Sequence, residues 1–457
     1  MAEPDKPKNL VILHLESVSN TILWQYRVEL ATVWRLMQES RCFSRFQAAA
    51  TSTAMAMAYA GWGDGGFFDF KTTFSQNPTQ EQMYHYSRQM LPMWSLLQDG
   101  FGYKYAEYIL NPLLRNNQPN PWGCQFPEMS GMLAETNRFL DEMKASGQPF
   151  ALYFSNAVSH MAFDDGVKYS AQTFSDRFRA GYRSFDQSIN QLLGFLAEKG
   201  LWENTLIVGY GDHGDELWSH GLNKGYCHAF APYASLTWTP LFIYDNGRDA
   251  GVTDRLMSAI DFKETVFRTL LPDADIPDID FSWGKFPRLG QSDFPGMNVM
   301  ERQRDFAFAQ NLYAMQLEYA DPEKGLAKGY AVTDGVYRLV AVSGGRRPKE
   351  GGMEFYCDRV DPTNSRNLLD FFRLDHNGDI AAFTPPPEAV SPEFALMFNP
   401  EAVQHMTETF RTLRRELHAY VRAKEEKALP FNSGGRHLMP EESFRFARKR
   451  IRKDYDE

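Results

Sequence analysis

Cysteine is scarce in this chain of 457 residues. The four, Cys42, Cys124, Cys227 and Cys357, lie far apart and form no CxxC pair. Neither a disulfide framework nor a thiolate zinc site is indicated, and a reducing, cytoplasmic location is the expectation. A long apolar run is missing too. The most apolar window, Ala48 to Trp62, is broken by Thr51, Ser52 and Thr53 and falls short of the roughly 20 residues that span a bilayer, so no transmembrane segment is expected. The N-terminus, MAEPDKPKNL, is charged and bears prolines, and it lacks the apolar core and small-residue cleavage site of a secretory signal. Positive charge is in deficit. Forty-eight Lys and Arg against 58 Asp and Glu leave a net charge of −10, which argues against a nucleic-acid binder. One segment departs from this balance: Glu441 to Glu457 gathers Arg445, Arg448, Lys449, Arg450, Arg452 and Lys453. It reads as a solvated basic helix, an alternative being contact with an acidic membrane surface or with a second copy in a homo-oligomer.

With 14% aromatic and 23% charged residues, the chain has the composition of a folded globular protein. Asn9 to Leu15 (NLVILHL) is a short run of β-formers, the pattern of a strand buried on both faces. Similar runs recur at Phe150 to Phe154, Thr205 to Tyr210 and Leu241 to Tyr244. Between the second and third, Phe178, Tyr182, Phe185, Ile189, Leu192, Leu193 and Leu196 recur at helical spacing. Strand, helix, strand predicts an α/β fold with ligands gathered at strand carboxyl ends. The texture changes near residue 330, where Gly329 to Val342 and Met353 to Cys357 predict a small antiparallel sheet with a turn at Asp334-Gly335. Thr384 to Pro392 reads as a linker, and Pro400 to Glu426 has helical periodicity. The expected organisation is a catalytic α/β domain over 1–328, an antiparallel subdomain over 329–384, and a linker with a helical, basic tail over 385–457.

The strongest chemical signal is Gly211-Asp212-His213-Gly214-Asp215, directly after a buried strand. Adjacent Asp and His on a loop offer oxygen and nitrogen ligands to a divalent cation, and the glycines allow close backbone approach. A turn with a helix cap would use the same residues. Glu16, delivered by the first strand's carboxyl end, is either a metal ligand or an aid to a helix N-terminus. His14 reads as core-facing filler, and Asp64 as a turn residue.

These segments, taken in order, resemble the sulfatase and phosphoethanolamine-transferase branch of the alkaline phosphatase superfamily. Asn9 to Ser17 is similar to that family's opening strand with its first acidic ligand. Pro149 to Phe163 resembles a strand leading to a substrate-facing histidine, which falls on His160. Tyr182 to Glu216 resembles the helix, turn, strand and Asp-His-Gly ligand loop. His220 to Gly225 is similar to the sulfatase segment with a charged His and Lys, whereas His228 to Pro232 followed by Thr239-Pro240-Leu241 is similar to the transferase segment. Phe355-Tyr356, Asp361-Pro362 and Asn367-Leu368 match the closing pattern. The resemblance implies a mostly parallel central sheet flanked by helices, followed by the small antiparallel sheet.

Sulfatases carry their nucleophile in Cys/Ser-x-Pro-x-Arg, matured to formylglycine, and that motif is absent. Ala48 to Ala60 instead resembles the threonine segment of phosphoethanolamine and lipoteichoic-acid-type transferases, which puts the nucleophile on Thr53. A plain threonine ester cannot collapse to an aldehyde, so it must be resolved by water or a second acceptor, and this favours phosphorus over sulfur. Thr51, Ser52 and Thr53 would equally serve as a polar helix cap. The resemblance therefore implies one divalent ion held by Glu16, Thr53, Asp212 and His213, zinc or manganese ahead of magnesium or calcium because one ligand is an imidazole. His160, and either His228 or the His220/Lys224 pair, would bind nonbridging oxygens or protonate the leaving alkoxide. The expected function is a phosphoryl or substituted-phosphoryl transferase or phosphodiesterase acting through a covalent threonine. The alternatives are a sulfate ester hydrolase without formylglycine and a catalytically silent carbohydrate- or anion-binding protein. The substrate would be a phosphate or sulfate ester of a sugar or a lipid head group.

Overall fold

The computed structural model describes residues 8–63, 92–110, 124–156, 174–217, 226–228, 231–246, 249–274, 296–311, 329–342, 353–384 and 398–428. Its centre is an eight-stranded sheet built from β1 (Asn9–Leu15), β2 (Arg41–Gln47), β3 (Lys104–Leu110), β4 (Cys124–Phe126), β5 (Phe150–Asn156), β6 (Thr205–Gly211), β9 (Leu241–Tyr244) and β10 (Gly251–Ser258). The strand order is β10-β2-β9-β6-β1-β5-β3-β4. Every neighbouring pair is parallel except the two that involve β9, so the expected parallel α/β sheet is present with one reversed strand. β1, β5 and β6 are buried along their whole length, which is why they read as unbroken apolar runs rather than alternating ones.

Helices cover both faces. On one side, α1 (Asn20–Gln25), α2 (Ala31–Gln38), α4 (Met129–Ser146) and α5 (Phe174–Glu198) pack against Val11, Leu13, Leu152, Phe154 and Ile207. On the other, α3 (Thr53–Trp62) and α7 (Phe262–Leu270) pack against Leu10, Ile12, Tyr153, Leu206 and Val208. Two short strands, β7 (Glu216–Leu217) and β8 (Tyr226–Cys227), form a separate ribbon after the Asp-His-Gly loop, and α6 (Ala234–Thr237) follows it.

The second sheet is antiparallel, in the order β11 (Ala307–Asn311), β12 (Gly329–Thr333), β13 (Tyr337–Val342), β14 (Met353–Cys357), followed by a ribbon of β15 (Phe372–Leu374) and β16 (Ile380–Phe383). The first strand of this sheet lies upstream of residue 329, where the sequence reading began it. The helix expected over Pro400 to Glu426 is present as α8 (Pro400–Ala428), and Met406, Phe410, Leu413, Leu417, Tyr420 and Val421 bury one face of it against β12 and β13 side chains such as Val332 and Leu339. Of the cysteines, Cys42 and Cys357 are free thiols. No helix among the described residues is long and apolar enough to cross a membrane. The basic segment 441–457 lies outside the described residues.

Leu413 is fully buried beneath this second sheet. Leu413→Ala should destabilise the C-terminal unit by about 2–5 kcal/mol through the lost transfer energy and the cavity left behind. Urea unfolding followed through the tyrosines of that unit, together with limited proteolysis of α8, checks this.

Candidate active site

β1 and β6 are parallel neighbours in register, with Leu15 opposite Gly211. The residues after those two positions, Glu16 and Asp212, are therefore delivered side by side at the sheet's carboxyl edge, both almost completely buried. Ser17 turns the chain away in a left-handed conformation (φ 59°), a backbone state uncommon outside glycine and often found at functional sites. From there its amide donates to Asp212 Oδ1 (3.1 Å) and its hydroxyl to Glu16 Oε1 (2.9 Å). The glycines of Gly-Asp-His-Gly stand where backbone packs closely. A Cβ on Gly211 would stand 2.3 Å from the Val18 carbonyl oxygen, and one on Gly214 would stand 2.2 Å from that of Ser235. They admit neighbouring backbone and so let the two loops close on each other.

His213 is fully buried, and its Nδ1 lies 2.9 Å from the Gly214 carbonyl oxygen. A carbonyl only accepts, so Nδ1 donates to it, and Nε2 is the ring atom turned toward the site. That atom faces Thr53 Oγ1 at 3.1 Å, Asp212 Oδ2 at 3.3 Å and Glu16 Oε1 at 3.7 Å. Thr53 comes from a third direction, as the first residue of α3, and its hydroxyl also donates to Glu16 Oε1 at 3.1 Å. Ser52 holds the N-cap position in extended backbone but makes no capping hydrogen bond through its side chain. The hydroxyl trio is therefore more than a cap: Thr53 is turned into the acidic cluster.

The sequence reading missed His14. Its Nε2 sits 3.2 Å from Asp212 Oδ2 and 3.7 Å from Glu16 Oε2, and its Nδ1 is 2.8 Å from Ser155 Oγ. Tyr153 and Tyr210 lie against its ring, both at 5.5 Å between centroids. The available signal was polarity, since His14 is the one titratable residue in NLVILHL and stands two positions before the acidic ligand. Burial opposes charge on His14, but Asp212 and Glu16 outweigh it and raise its proton affinity. The converse holds for Asp212, where burial opposes ionisation while His213 and His14 hold the carboxyl below its usual range. Behind His14, burial pushes Glu107 up to about 7 despite the hydrogen bond it accepts from Tyr105.

Asp215 was also missed as a site residue. Its Oδ1 is 2.9 Å from His228 Nδ1, and the His228 ring stacks on that of His213 at 4.5 Å. The structure thus brings together five of the residues singled out in the sequence: Glu16, Thr53, Asp212, His213 and His228. His160, His220 and Lys224 lie outside the described residues.

The donor set fits a divalent cation. His14, Glu16 and Asp212 offer ligand atoms within 4.8 Å of one another, and His213 Nε2 and Thr53 Oγ1 approach the same carboxylates. Two atoms at the centre, His14 Nε2 and Asp212 Oδ2, are buried without a hydrogen-bond partner, a costly arrangement that a cation would relieve. Mixed imidazole and carboxylate donors suit a transition ion.

A central, mostly parallel sheet with carboxylates, imidazoles and a hydroxyl gathered at its carboxyl edge is the architecture of an α/β hydrolytic enzyme of the sulfatase kind. The family model described as Sulfatase matches residues 8–270, more than half the chain, and the protein belongs to the sulfatase family, within the alkaline phosphatase superfamily. The uncharacterized sulfatase YdeN of Escherichia coli (strain K12) is 32% identical over 149 residues, covering 30% of this chain and 26% of that protein. Human arylsulfatase A is 26% identical over 203 residues, covering 40% and 39%. The chain thus spans well under half the length of the curated relatives it matches. Among solved structures, a protein of the glycosaminoglycan-metabolism locus of Bacteroides thetaiotaomicron shares the fold with a TM-score of 0.57 at 13% identity, over 94% of this chain and 100% of that one. Another, solved with its substrate D-glucosamine-2-N,6-O-disulfate, gives 0.54 at 13% identity, over 92% and 99%.

Two outcomes are expected of the site. Ser155→Ala removes the hydroxyl that orients His14 and should weaken divalent-metal affinity by about 10–100-fold, read by titration with elemental analysis; a wild-type chain that takes up no divalent ion would contradict the assignment. For His228, burial lowers the pKa but the Asp215 hydrogen bond and charge raise it further, so the net shift is upward. The pair therefore stabilises the fold below the ordinary histidine value of about 6.5 and loses that contribution as pH rises through the higher folded value. Asp215→Asn should shift the His228 titration downward in an NMR pH series.

Proposed function

We propose that this chain is a metal-dependent hydrolase of sulfate esters whose nucleophile is Thr53. The observation that carries the nucleophile is the placement of Thr53 Oγ1 at 3.1 Å from both Glu16 Oε1 and His213 Nε2. Family membership supports the sulfate ester, the reaction placed second in the sequence reading. A divalent ion held by His14, Glu16, Asp212 and His213 would supply Lewis-acid charge for a hydroxyl that is otherwise a weak nucleophile.

The chain's own groups then divide the work. Thr53 gives its proton to the Glu16 carboxylate, which its hydroxyl already faces, as its oxygen attacks sulfur, and the S–O bond to the alcohol breaks. His228, kept protonated by Asp215, hands a proton to the departing alkoxide. Water then attacks the threonyl ester, releasing sulfate and restoring the hydroxyl. The N-terminus of α3 contributes a further positive field at Thr53. The neighbour solved with a disulfated glucosamine supports a sulfated sugar as substrate.

A second reading has one specific observation behind it. Residue 53 is threonine, which cannot mature to formylglycine, and a plain threonyl ester is resolved more readily at phosphorus. On that reading the same residues transfer or hydrolyse a phosphoryl group. Zinc or manganese is the ion favoured for either.

Aryl sulfate and aryl phosphodiester probes decide between them. Sulfate turnover faster by about tenfold, or about 1.4 kcal/mol in the barrier, supports the first reading, and the reverse ratio supports the second. Thr53→Ala should lower kcat by more than about 10³-fold in a preparation shown to retain its metal. A radiolabelled sulfuryl or phosphoryl group trapped on Thr53 identifies the covalent ester. No turnover of any probe would leave the silent binding protein as the surviving alternative.

A further inference from the structure

Thr53 and His213 reach one another from strands that are not neighbours. β2, which leads to Thr53, is separated from β6 by β9, and its ladder to β9 covers only Arg41 and Cys42. Past Cys42 the two chains keep a single bridge, Gln47 to Trp238, together with the hydrogen bonds Ala48 N to Thr237 O (2.7 Å) and Trp238 Nε1 to Ser44 O (2.8 Å). Sheet pairing alone therefore does little to fix where the segment before Thr53 stands relative to the loop that carries His213.

A side chain from the other sheet holds that gap. Arg338, on β13, is 1% exposed. Its Nη2 donates to Gln47 Oε1 (2.7 Å), six residues before Thr53, and its Nη1 to Thr237 Oγ1 (2.8 Å) and the Pro232 carbonyl (3.4 Å). Asp358 holds the guanidinium from behind through both oxygens, with Nη2 to Oδ2 at 2.8 Å. Asp358 Oδ1 in turn accepts from Asn364 Nδ2 (2.9 Å), and Asn364 Oδ1 accepts from the Ala234 amide (2.6 Å). The segment so gripped, α6, is the one on which the His213 loop rests: the Gly214 amide donates to the Leu236 carbonyl (2.8 Å), and Ser235 O fills the space a Gly214 side chain would need.

The geometry points to Arg338 as a positioning residue for the active site, a cross-brace from the C-terminal sheet that registers the Thr53 segment against the Asp212-His213 loop. Its planar fork suits this task, since one rigid group bonds two separate segments while a carboxylate fixes its plane. The two arms have separate consequences. The Gln47 arm aims Thr53, and the Thr237 arm supports Gly214 and with it the His213 ligand. This inference rests on the proposed Thr53 and metal assignment for its catalytic consequence, but not for its structural one.

Variants that spare the buried Arg338–Asp358 pair test it: Gln47→Met, Thr237→Val, and Gln47→Glu, which restores an acceptor for Nη2. Gln47→Met should lower kcat by about fivefold or more on the best ester probe with KM and Mn(II) affinity within about twofold. Thr237→Val should weaken Mn(II) binding by a similar factor. Gln47→Glu should recover most of the kcat. A purely structural role would instead lower melting temperature and leave this split absent. Amide hydrogen exchange at Ala48 and Gly214 reads the brace without reference to activity, and both amides should exchange faster in Thr237→Val than in wild type. Unchanged exchange at both, or Gln47→Met and Thr237→Val with wild-type kcat and Mn(II) affinity, overturns the proposal. Faster exchange in a protein that binds no Mn(II) and turns over no ester sinks the functional reading and keeps the brace.

Discussion

Two carboxylates side by side in a buried position set the terms for everything around them. Glu16 and Asp212 are neighbours because β1 and β6 are parallel and in register, and both are almost fully buried. Like charges cannot share a dry site without compensation. The surroundings supply it in layers: the Ser17 amide on one Asp212 oxygen, the Thr53 and Ser17 hydroxyls on Glu16, and two imidazoles within 4 Å. What remains is His14 Nε2 and Asp212 Oδ2 facing each other at 3.2 Å, buried and without a well-formed hydrogen bond. A divalent cation among these donors would satisfy both atoms at once.

How far the sequence revealed this depends on which constraint placed each residue. Glu16, Asp212 and His213 follow buried strands, and a polar residue where an apolar run stops is visible without a structure. Thr53 needed the family resemblance, because a hydroxyl before a helix reads equally as a cap. His14 was hidden for the opposite reason. A strand buried on both faces has no alternation to mark a residue as facing the site, so a histidine inside it looks like packing. Asp215 and Ser155 were hidden because their role is to orient another side chain, and pairing across distances such as the 141 residues between His14 and Ser155 leaves no local pattern. In the fold, the parallel sheet was legible and the reversal of β9 was not. Direction leaves no mark on a four-residue run buried at every position.

Family and residue type pull in different directions over the central atom. Membership in the sulfatase family rests on the matched region, which includes the strand ends and the ligand loop, and these serve any tetrahedral anion. The nucleophile position is where sulfur and phosphorus chemistry part. A formylglycine hydrate releases its ester by collapse, whereas a threonine depends on an incoming water or acceptor reaching the central atom. On the proposed assignment the metal side of the site would serve both reactions, while a threonine at position 53 would set how the second half of the cycle runs.

That dependence raises the demands on positioning. A nucleophile whose ester is resolved by attack must be aimed twice, once in formation and once in breakdown, and small errors in aim are costly in rate. Thr53 opens α3, six residues past a strand, β2, that is only partly zipped to β9 and lies on the opposite side of β9 from β6. The second sheet compensates at several points. Beyond Arg338, the Gln310 amide bonds the Ala49 carbonyl (3.0 Å) and Gln310 also bonds the Tyr59 hydroxyl on α3, while Glu354 accepts from Tyr233 beside α6 (2.8 Å). These contacts fall on the two segments that carry Thr53 and support the Asp212-His213 loop. The antiparallel sheet thus bonds directly to the backbone on either side of the candidate site, while its own described residues stay clear of the His14, Glu16, Asp212 and His213 cluster.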